Sequence, residues 1–254
     1  MQCAEAQHES MGGMPSWREA VVRGVPKRPH RRNVVDDGFC SYMAVNAIFE
    51  TPLEFPRIRD SEASPSFCGA VPFSQRNREG AQRDCVVFFE NDPLFADVLV
   101  AADEFIDELS MHPCVASPDC SLYYDMPFVL QLANLYMSRL LGHYLEERGL
   151  CVIPTVRWGD ERTYKPYLTD EPLAFSALPK GGEYWIGPYG VSKRVEDKFH
   201  FRNGLREMIA YLHPHRLYSY GALPAETLKE FESETQITCF PNWTKRTHGA
   251  GVRG

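Results

Sequence analysis

Short apolar runs alternate with stretches of helical periodicity along most of this chain. Most of the runs are continuously apolar, which is typical of parallel strands that are buried on both faces. The eight runs are LEFPRI (53–58), GAVPF (69–73), CVVFFE (85–90), CVASP (114–118), LCVIPTVRW (150–158), YWIGP (184–188), RLYSYG (216–221) and QITCF (236–240).

The longest helical pattern covers residues 127–148 and is apolar on nearly all sides, which predicts a deeply packed helix. Asp125 is its expected N-cap, and Gly149 stands where a helix-ending glycine is favoured. Three further helices are expected at 93–109, at about 193–212, and from Pro224 through Phe231.

Strands that alternate with helices through short loops form right-handed crossovers and a parallel sheet. The sequence therefore predicts the α/β class, with a distorted or incomplete (β/α) barrel of mostly parallel strands as the architecture. The alternative is an open doubly wound α/β sheet. No GxGxxG or GxxxxGKS loop follows any of the runs, so no nucleotide-binding fingerprint supports that alternative.

The 254 residues correspond to one large domain or two small ones. We interpret residues 36–243 as a single barrel-like domain, between a mobile basic N-terminal arm at 1–35 and a flexible tail at 244–254. No window approaches the roughly 20 apolar residues of a membrane span, and the first residues do not resemble a secretory signal. The expected compartment is the cytoplasm.

The eight cysteines form no CxxC pair, so a metal site built from cysteine and histidine is not expected. A hard cation held by Glu90, Asp92 and Asp119 stays an open alternative. Cys85, Cys151 and Cys239 lie inside apolar runs, which predicts buried thiols that act as small hydrophobic residues.

The net charge of −7 is unevenly distributed. Residues 1–33 carry six basic and three acidic side chains, and residues 245–254 carry three basic ones and no acid. The body between them has a net charge of −13, which disfavours binding of a phosphate backbone. Nucleic acid is therefore expected to bind only weakly, through the basic cluster at 23–32, and the alternative for this cluster is a solvated arm.

Polar residues follow the predicted strands at their carboxyl ends, where ligands bind in parallel α/β folds. Asp119 is the candidate general acid/base and Arg157 the candidate anion clamp, with Tyr124 and Trp158 as walls. Glu90, Ser121 and Tyr189 are further candidate ligand contacts. Structural roles stay open for four of them. Asp119 could bind nearby backbone N–H groups, and Arg157 could pair with Asp119 or Glu161. Tyr124 and Trp158 could belong to the rim of the core.

Residues 117–164 resemble the core of a bacterial and phage family catalogued as domain of unknown function 4417, and weaker similarity extends over about 53–240. The resemblance rests on Pro118, Asp119, Ser121, Tyr123, Asp125, Met126 and Pro127, followed by Val152, Ile153, Pro154 and Trp158. The family commonly has a cysteine where Val191 stands here. The resemblance implies a barrel-like α/β domain that is frequent in prophages and mobile elements, and it implies no established activity.

The function that these residues favour is that of a phage or mobile-element accessory protein. It would bind a small polar or anionic ligand at the carboxyl ends of the strands, and hydrolysis of that ligand is an open extension. The rival hypothesis is a non-catalytic module that engages a host or phage protein. The sequence indicates no particular cofactor.

Overall fold

A computed structural model describes residues 40–59, 64–188 and 195–250. The predicted basic arm, Tyr189 and the last residues of the tail lie outside these ranges. The strands are β1 (Phe49–Glu50), β2 (Phe55–Pro56), β3 (Ala70–Pro72), β4 (Cys85–Val87), β5 (Val115–Ala116), β6 (Val152–Ile153), β7 (Glu183–Ile186), β8 (Arg216–Tyr220) and β9 (Gln236–Phe240). The α-helices are α1 (Ala96–Val100), α2 (Ile106–Leu109), α3 (Phe128–Glu147), α4 (Glu161–Tyr164), α5 (Val195–Leu212), α6 (Ala225–Phe231) and α7 (Trp243–Ala250).

Seven of the strands are parallel to their neighbours and follow one another in chain order. β3, β4, β5 and β6 form one sheet, and β7, β8 and β9 form a second. Trp185 of β7 joins the two sheets, because its N–H donates to the Pro154 carbonyl at 2.9 Å and its carbonyl accepts from Val156 N–H at 2.8 Å. Within the described residues, neither sheet reverses its strand order, as a doubly wound sheet would. The predicted α/β class is confirmed.

The first predicted strand is not parallel. Phe55 and Pro56 pair antiparallel with Glu50 and Phe49 in a separate two-stranded hairpin. Only four residues connect β1 to β2, whereas a parallel connection needs a crossover of a dozen or more.

The helix predicted at 93–109 is interrupted. The structure has one 3₁₀ turn at Asp92–Leu94, before the short helix α1, and another at Ala102–Phe105, between α1 and the short helix α2. Ala101 leaves the helical region at the end of α1. Side chains of this segment bind other elements instead: Asp103 accepts from the Tyr144 hydroxyl at 2.7 Å and pairs with Arg148. These tertiary contacts outweigh the helical propensity of the sequence.

The long helix α3 is confirmed, and its caps differ from the prediction at one end. Gly149 has φ +84°, and the Leu150 N–H bonds the Leu145 carbonyl at 3.1 Å, as expected for a glycine C-terminus. Pro127 is the N-cap, so the assignment of Asp125 as a capping residue is wrong. Asp125 is exposed; Gln131 instead binds the open N-terminal turn, donating to the Met126 carbonyl at 2.8 Å. The second half of α3 is buried, whereas its first turn exposes apolar side chains.

Arg139 of α3 ties the buried end of β6 to a neighbouring loop. Its guanidinium is fully buried and donates to the main-chain carbonyl of Thr155 at 3.4 Å. It also donates to the carbonyls of Ala174 at 2.7 Å and Ser176 at 3.2 Å. Burial lowers the pKa of Arg139 to about 10, which still leaves it charged at neutral pH. This arrangement fixes the strand end from which the candidate site residues emerge.

Aromatic side chains fill the space between the two sheets. Trp185 contacts Tyr218, Phe240 and Phe67 with ring centroids 5.1 to 5.9 Å apart. Phe89, after β4, stacks on Tyr220 of β8 at 5.4 Å. Rings and apolar side chains from both sheets therefore belong to one buried cluster.

The chain's last described helix returns to the first parallel strand. Arg246 of α7 pairs with the buried Asp84 carboxylate and donates to the Ala70 carbonyl of β3 at 3.3 Å.

The thiols follow the prediction only partly. Cys85 is buried, Cys151 is half-buried and Cys239 is exposed, so the prediction for Cys239 is wrong. Cys239 belongs to the outermost strand of its sheet, β9, and none of the five residues of β9 is fully buried.

Candidate functional site

A small cleft opens beside the carboxyl ends of β6 and β7. Its cavity volume is about 30 Å³, which is room for a few water molecules or a small polar group. It is lined by Leu122, Tyr123, Tyr124, Val156, Arg157, Trp158, Gly159, Ile186, Gly187, Asp197, His200 and Phe201. We refer to it as the Arg157 cleft.

Arg157 connects the cleft to a buried carboxylate. Its Nη1 donates to Oδ2 of Asp119 at 2.9 Å, and both side chains are largely buried, with 14% and 8% exposure. The structural pairing that the sequence left open is therefore made with Asp119. The second carboxylate oxygen, Oδ1, is also buried, and no described residue donates a hydrogen bond to it.

The Asp119 carboxyl has an altered protonation equilibrium. Burial raises its pKa from 3.8 to about 6, against the opposing effect of the Arg157 charge, and the Asp92 carboxylate raises it further. A pKa near neutrality is suited to proton transfer. Asp119 does not line the cleft itself, however, so it acts on the cleft through Arg157.

Both predicted wall residues, Tyr124 and Trp158, line the cleft, and they have different neighbours. Tyr124 stacks on the imidazole of His200 with ring centroids 5.3 Å apart. Trp158 is 7% exposed and packs on Phe201, and its Nε1 donates to the His200 carbonyl at 3.0 Å. Trp158 is therefore mainly a core residue that forms the floor of the cleft.

The other predicted contacts are engaged elsewhere at the same edge of the sheet. Glu90 accepts two hydrogen bonds from Ser74, at 2.9 Å from its N–H and 2.6 Å from its hydroxyl. Ser121 donates its hydroxyl to Asp92 at 2.8 Å and its N–H to the same carboxylate at 3.2 Å. Neither Glu90 nor Ser121 lines the cleft. Tyr189 lies outside the described residues.

Sequence reasoning missed His200, which lies in the cleft on the second turn of α5. Its Nδ1 is 3.1 Å from the Tyr164 hydroxyl and 3.8 Å from Oε2 of Glu161. Burial raises the pKa of Tyr164, which keeps its hydroxyl protonated beside the imidazole. The signal that could have found His200 is its place near the start of the helix after β7, because the first turns of such helices adjoin the strand ends.

Asp160 is a second missed residue, and its role is local. It caps α4 by accepting from Arg162 N–H at 2.9 Å, and it accepts from Gln131 of α3 at 3.1 Å. These bonds hold the loop after β6 against the long helix and so fix the position of Arg157.

The described residues include no group of three or more histidine, cysteine, aspartate or glutamate side chains arranged to hold a metal ion. No helix in the same part of the chain is both long enough and apolar enough to span a bilayer.

Comparison with known proteins identifies relatives of this chain. A family profile described as Domain of unknown function (DUF4417) matches residues 47–241. The chain is 30% identical over 172 residues to the Gene 1 protein of Mycobacterium phage L5, covering 67% of this chain and 72% of that protein. It is 28% identical over 172 residues to the Gene 1 protein of Mycobacterium phage D29, covering 67% of this chain and 61% of that protein. No solved structure matches the chain. The family resemblance predicted from the sequence is confirmed, and the relatives associate the chain with phages.

Proposed function

The chain belongs to the DUF4417 family, a domain of unknown function, and we propose that it binds a small polar or anionic ligand in the Arg157 cleft. The observation that carries the proposal is the buried pair of Asp119 and Arg157, in which one carboxylate oxygen accepts no hydrogen bond from any described residue. A buried pair of charges costs desolvation free energy and contributes little net stability by itself. Perturbed titratable groups beside a cleft are characteristic of functional sites.

The architecture that we propose around this cleft is an incomplete (β/α) barrel. Three features support it: the seven parallel strands follow chain order, Trp185 joins the two sheets, and Arg246 of α7 reaches β3 from beyond the last strand. In such a barrel the carboxyl ends of the strands share one face, and the cleft lies at that face.

In this proposal Arg157 binds the ligand and Asp119 positions Arg157. One guanidinium nitrogen is occupied by Asp119, and the remaining N–H groups can form a fork for a carboxylate or phosphate oxygen. His200 supplies an imidazole in the same cleft, held by Tyr164. Ligand binding has more support than ligand hydrolysis, because Asp119 does not line the cleft and would have to move to reach a ligand.

Thermal unfolding with candidate ligands tests this proposal. The panel contains inorganic phosphate, sulfate and formate, which are small anions suited to the volume of the cleft, and each is titrated against the full chain. A ligand at 100 times its Kd stabilises the folded state by about 2.7 kcal/mol. For a chain of this length, that raises Tm by about 5–10 °C.

Two variants and one control make the test specific. Arg157→Gln removes the clamp and should abolish the ligand-induced rise in Tm. Asp119→Asn removes the carboxylate that positions Arg157 and should reduce the ligand-induced rise in Tm. Glu108→Gln removes the 2.5 Å ion pair with Arg76, outside the cleft, and should leave the rise unchanged. A rise that persists in Arg157→Gln contradicts the proposal, and no rise with any ligand favours the protein-interaction module.

A further inference from the structure

Exposed apolar side chains are concentrated around the Arg157 cleft. Seven of the ten large hydrophobic residues that are exposed in the described part of the chain belong to three segments, 123–130, 160–171 and 195–200. They are Tyr123, Val129, Leu130, Tyr167, Leu168, Val195 and Phe199, each at least half exposed. We refer to these seven residues as the rim patch.

Ring contacts connect the three segments into one surface. Tyr167 packs edge-on against Phe128 at 5.3 Å, beside Val129 and Leu130 of the same helical turn. Phe199 packs edge-on against His200 at 5.3 Å, and the His200 ring reaches Tyr124 of the first segment. Exposed apolar side chains grouped on adjoining segments are characteristic of an interaction site.

The same three segments are acidic. They contain seven acidic side chains, Asp125, Asp160, Glu161, Asp170, Glu171, Glu196 and Asp197, and three basic ones, Arg162, Lys165 and Lys198, for a net charge of −4. Carboxylates interspersed with exposed tyrosine and phenylalanine rings suit an arginine-rich segment, because guanidinium groups bind carboxylates and also stack on aromatic rings.

The chain itself supplies such a segment. Residues 23–32 (RGVPKRPHRR) contain five basic side chains and no acidic one. We propose that this basic segment docks on the rim patch of its own chain. The inference is independent of the ligand proposed for the cleft.

The chain is long enough to make this contact. Tyr42 packs against Tyr144 near the end of α3, with ring centroids 5.5 Å apart. Val129, at the start of α3, is 15 residues earlier, which is about 22 Å along the helix. Arg32 precedes Tyr42 by ten residues, and an extended chain of that length spans about 33 Å. The linker is therefore long enough for the basic segment to reach the rim patch within one molecule.

Competition between the chain's own segment and an added copy tests the proposal. The probe is a fluorescein-labelled peptide of residues 19–35, and its binding is followed by fluorescence anisotropy. The receptors are the full chain and a full-length neutral-arm variant in which the five basic residues of 23–32 are replaced by serine. The peptide should bind the neutral-arm variant at least ten-fold more tightly than the wild-type chain, whose own segment occupies the patch.

Leucine substitutions locate the contact. In the neutral-arm variant, Leu130→Ser should weaken peptide binding at least ten-fold. Leu94→Ser should leave it unchanged, since Leu94 has a similar exposure, 54% against 50%, and does not belong to the patch. Equal affinity of the peptide for wild-type and neutral-arm chains would overturn the proposal, as would equal losses in the two leucine variants or no binding at low salt.

Amide hydrogen exchange separates docking within a chain from docking between copies. Residues 123–130 and 195–200 should exchange more slowly in the wild-type chain than in the neutral-arm variant, by the same factor at every protein concentration. Protection that grows with concentration would instead assign the contact to a second copy and overturn the proposal.

Discussion

Asp119→Asn should change how the stability of the chain depends on pH. The folded chain holds the Asp119 carboxyl with a pKa of about 6, whereas the ordinary value is 3.8, and burial is the largest cause. Between these two pH values the folded state binds more protons than the unfolded state. The free energy of unfolding therefore decreases as pH rises through this window.

The magnitude follows from the two pKa values. A shift of one pKa unit corresponds to about 1.4 kcal/mol, and because both titrations are gradual, the Asp119 contribution falls by about 2 kcal/mol from pH 4 to pH 7. An asparagine does not titrate. The stability of the wild-type chain minus that of Asp119→Asn should thus fall by about 2 kcal/mol over this range.

Urea denaturation of both proteins at pH 4, 5, 6 and 7 measures this difference. Contributions of other titrating groups cancel because both chains contain them. Glu146, whose pKa burial raises to about 7, is one such group. A difference that rises with pH would show that the Arg157 charge outweighs burial and lowers the pKa of Asp119. A difference that stays constant would show that folding does not change the pKa of Asp119. Either result would refute the claim that burial raises this pKa.

Two further substitutions test the packing that supports the site. Gly204→Ala would place a Cβ 2.2 Å from Nε1 of Trp158, and this overpacking should cost about 1–3 kcal/mol. Because alanine improves helix propensity by only about 1 kcal/mol, urea denaturation should show a net loss of stability. A net gain would contradict the close packing of α5 on the cleft floor. Arg246→Ala leaves the buried Asp84 carboxylate without its cation and should lower the free energy of unfolding by about 3 kcal/mol. The second substitution Asp84→Asn should recover part of that loss. If the double variant recovers nothing, the charge of Asp84 is not the cause of the loss.

Strand positions could be predicted well because six of the seven parallel strands, β3 to β8, are largely buried. Seven of the eight apolar runs contain parallel strands, and continuous apolar character is what burial on both faces requires. The run at 53–58 was assigned wrongly because a buried pair such as Phe55 and Pro56 has the same appearance in a hairpin. Hydrophobicity alone does not specify the direction of pairing.

Helix ends and the members of the site were harder to predict, since both depend on contacts distant in sequence. Asp125 and Asp160 are equally plausible caps by local sequence, yet only Asp160 caps a helix, because Gln131 and Arg162 hold it there. Strand ends predicted Arg157, Asp119, Tyr124 and Trp158 in one neighbourhood. The strand-end positions could not show that Asp119 lies outside the cleft and contacts it through Arg157. They also could not predict that His200 of α5 lines the cleft.

The location of a bound anion tests the central claim most directly. Crystals of the full chain soaked in tungstate, a heavy tetrahedral anion, would reveal each anion site by anomalous scattering. The account predicts an anomalous peak within the cleft, in contact with the Arg157 guanidinium, and its loss in Arg157→Gln. Peaks confined to exposed lysine and arginine side chains, with none at Arg157, would contradict it.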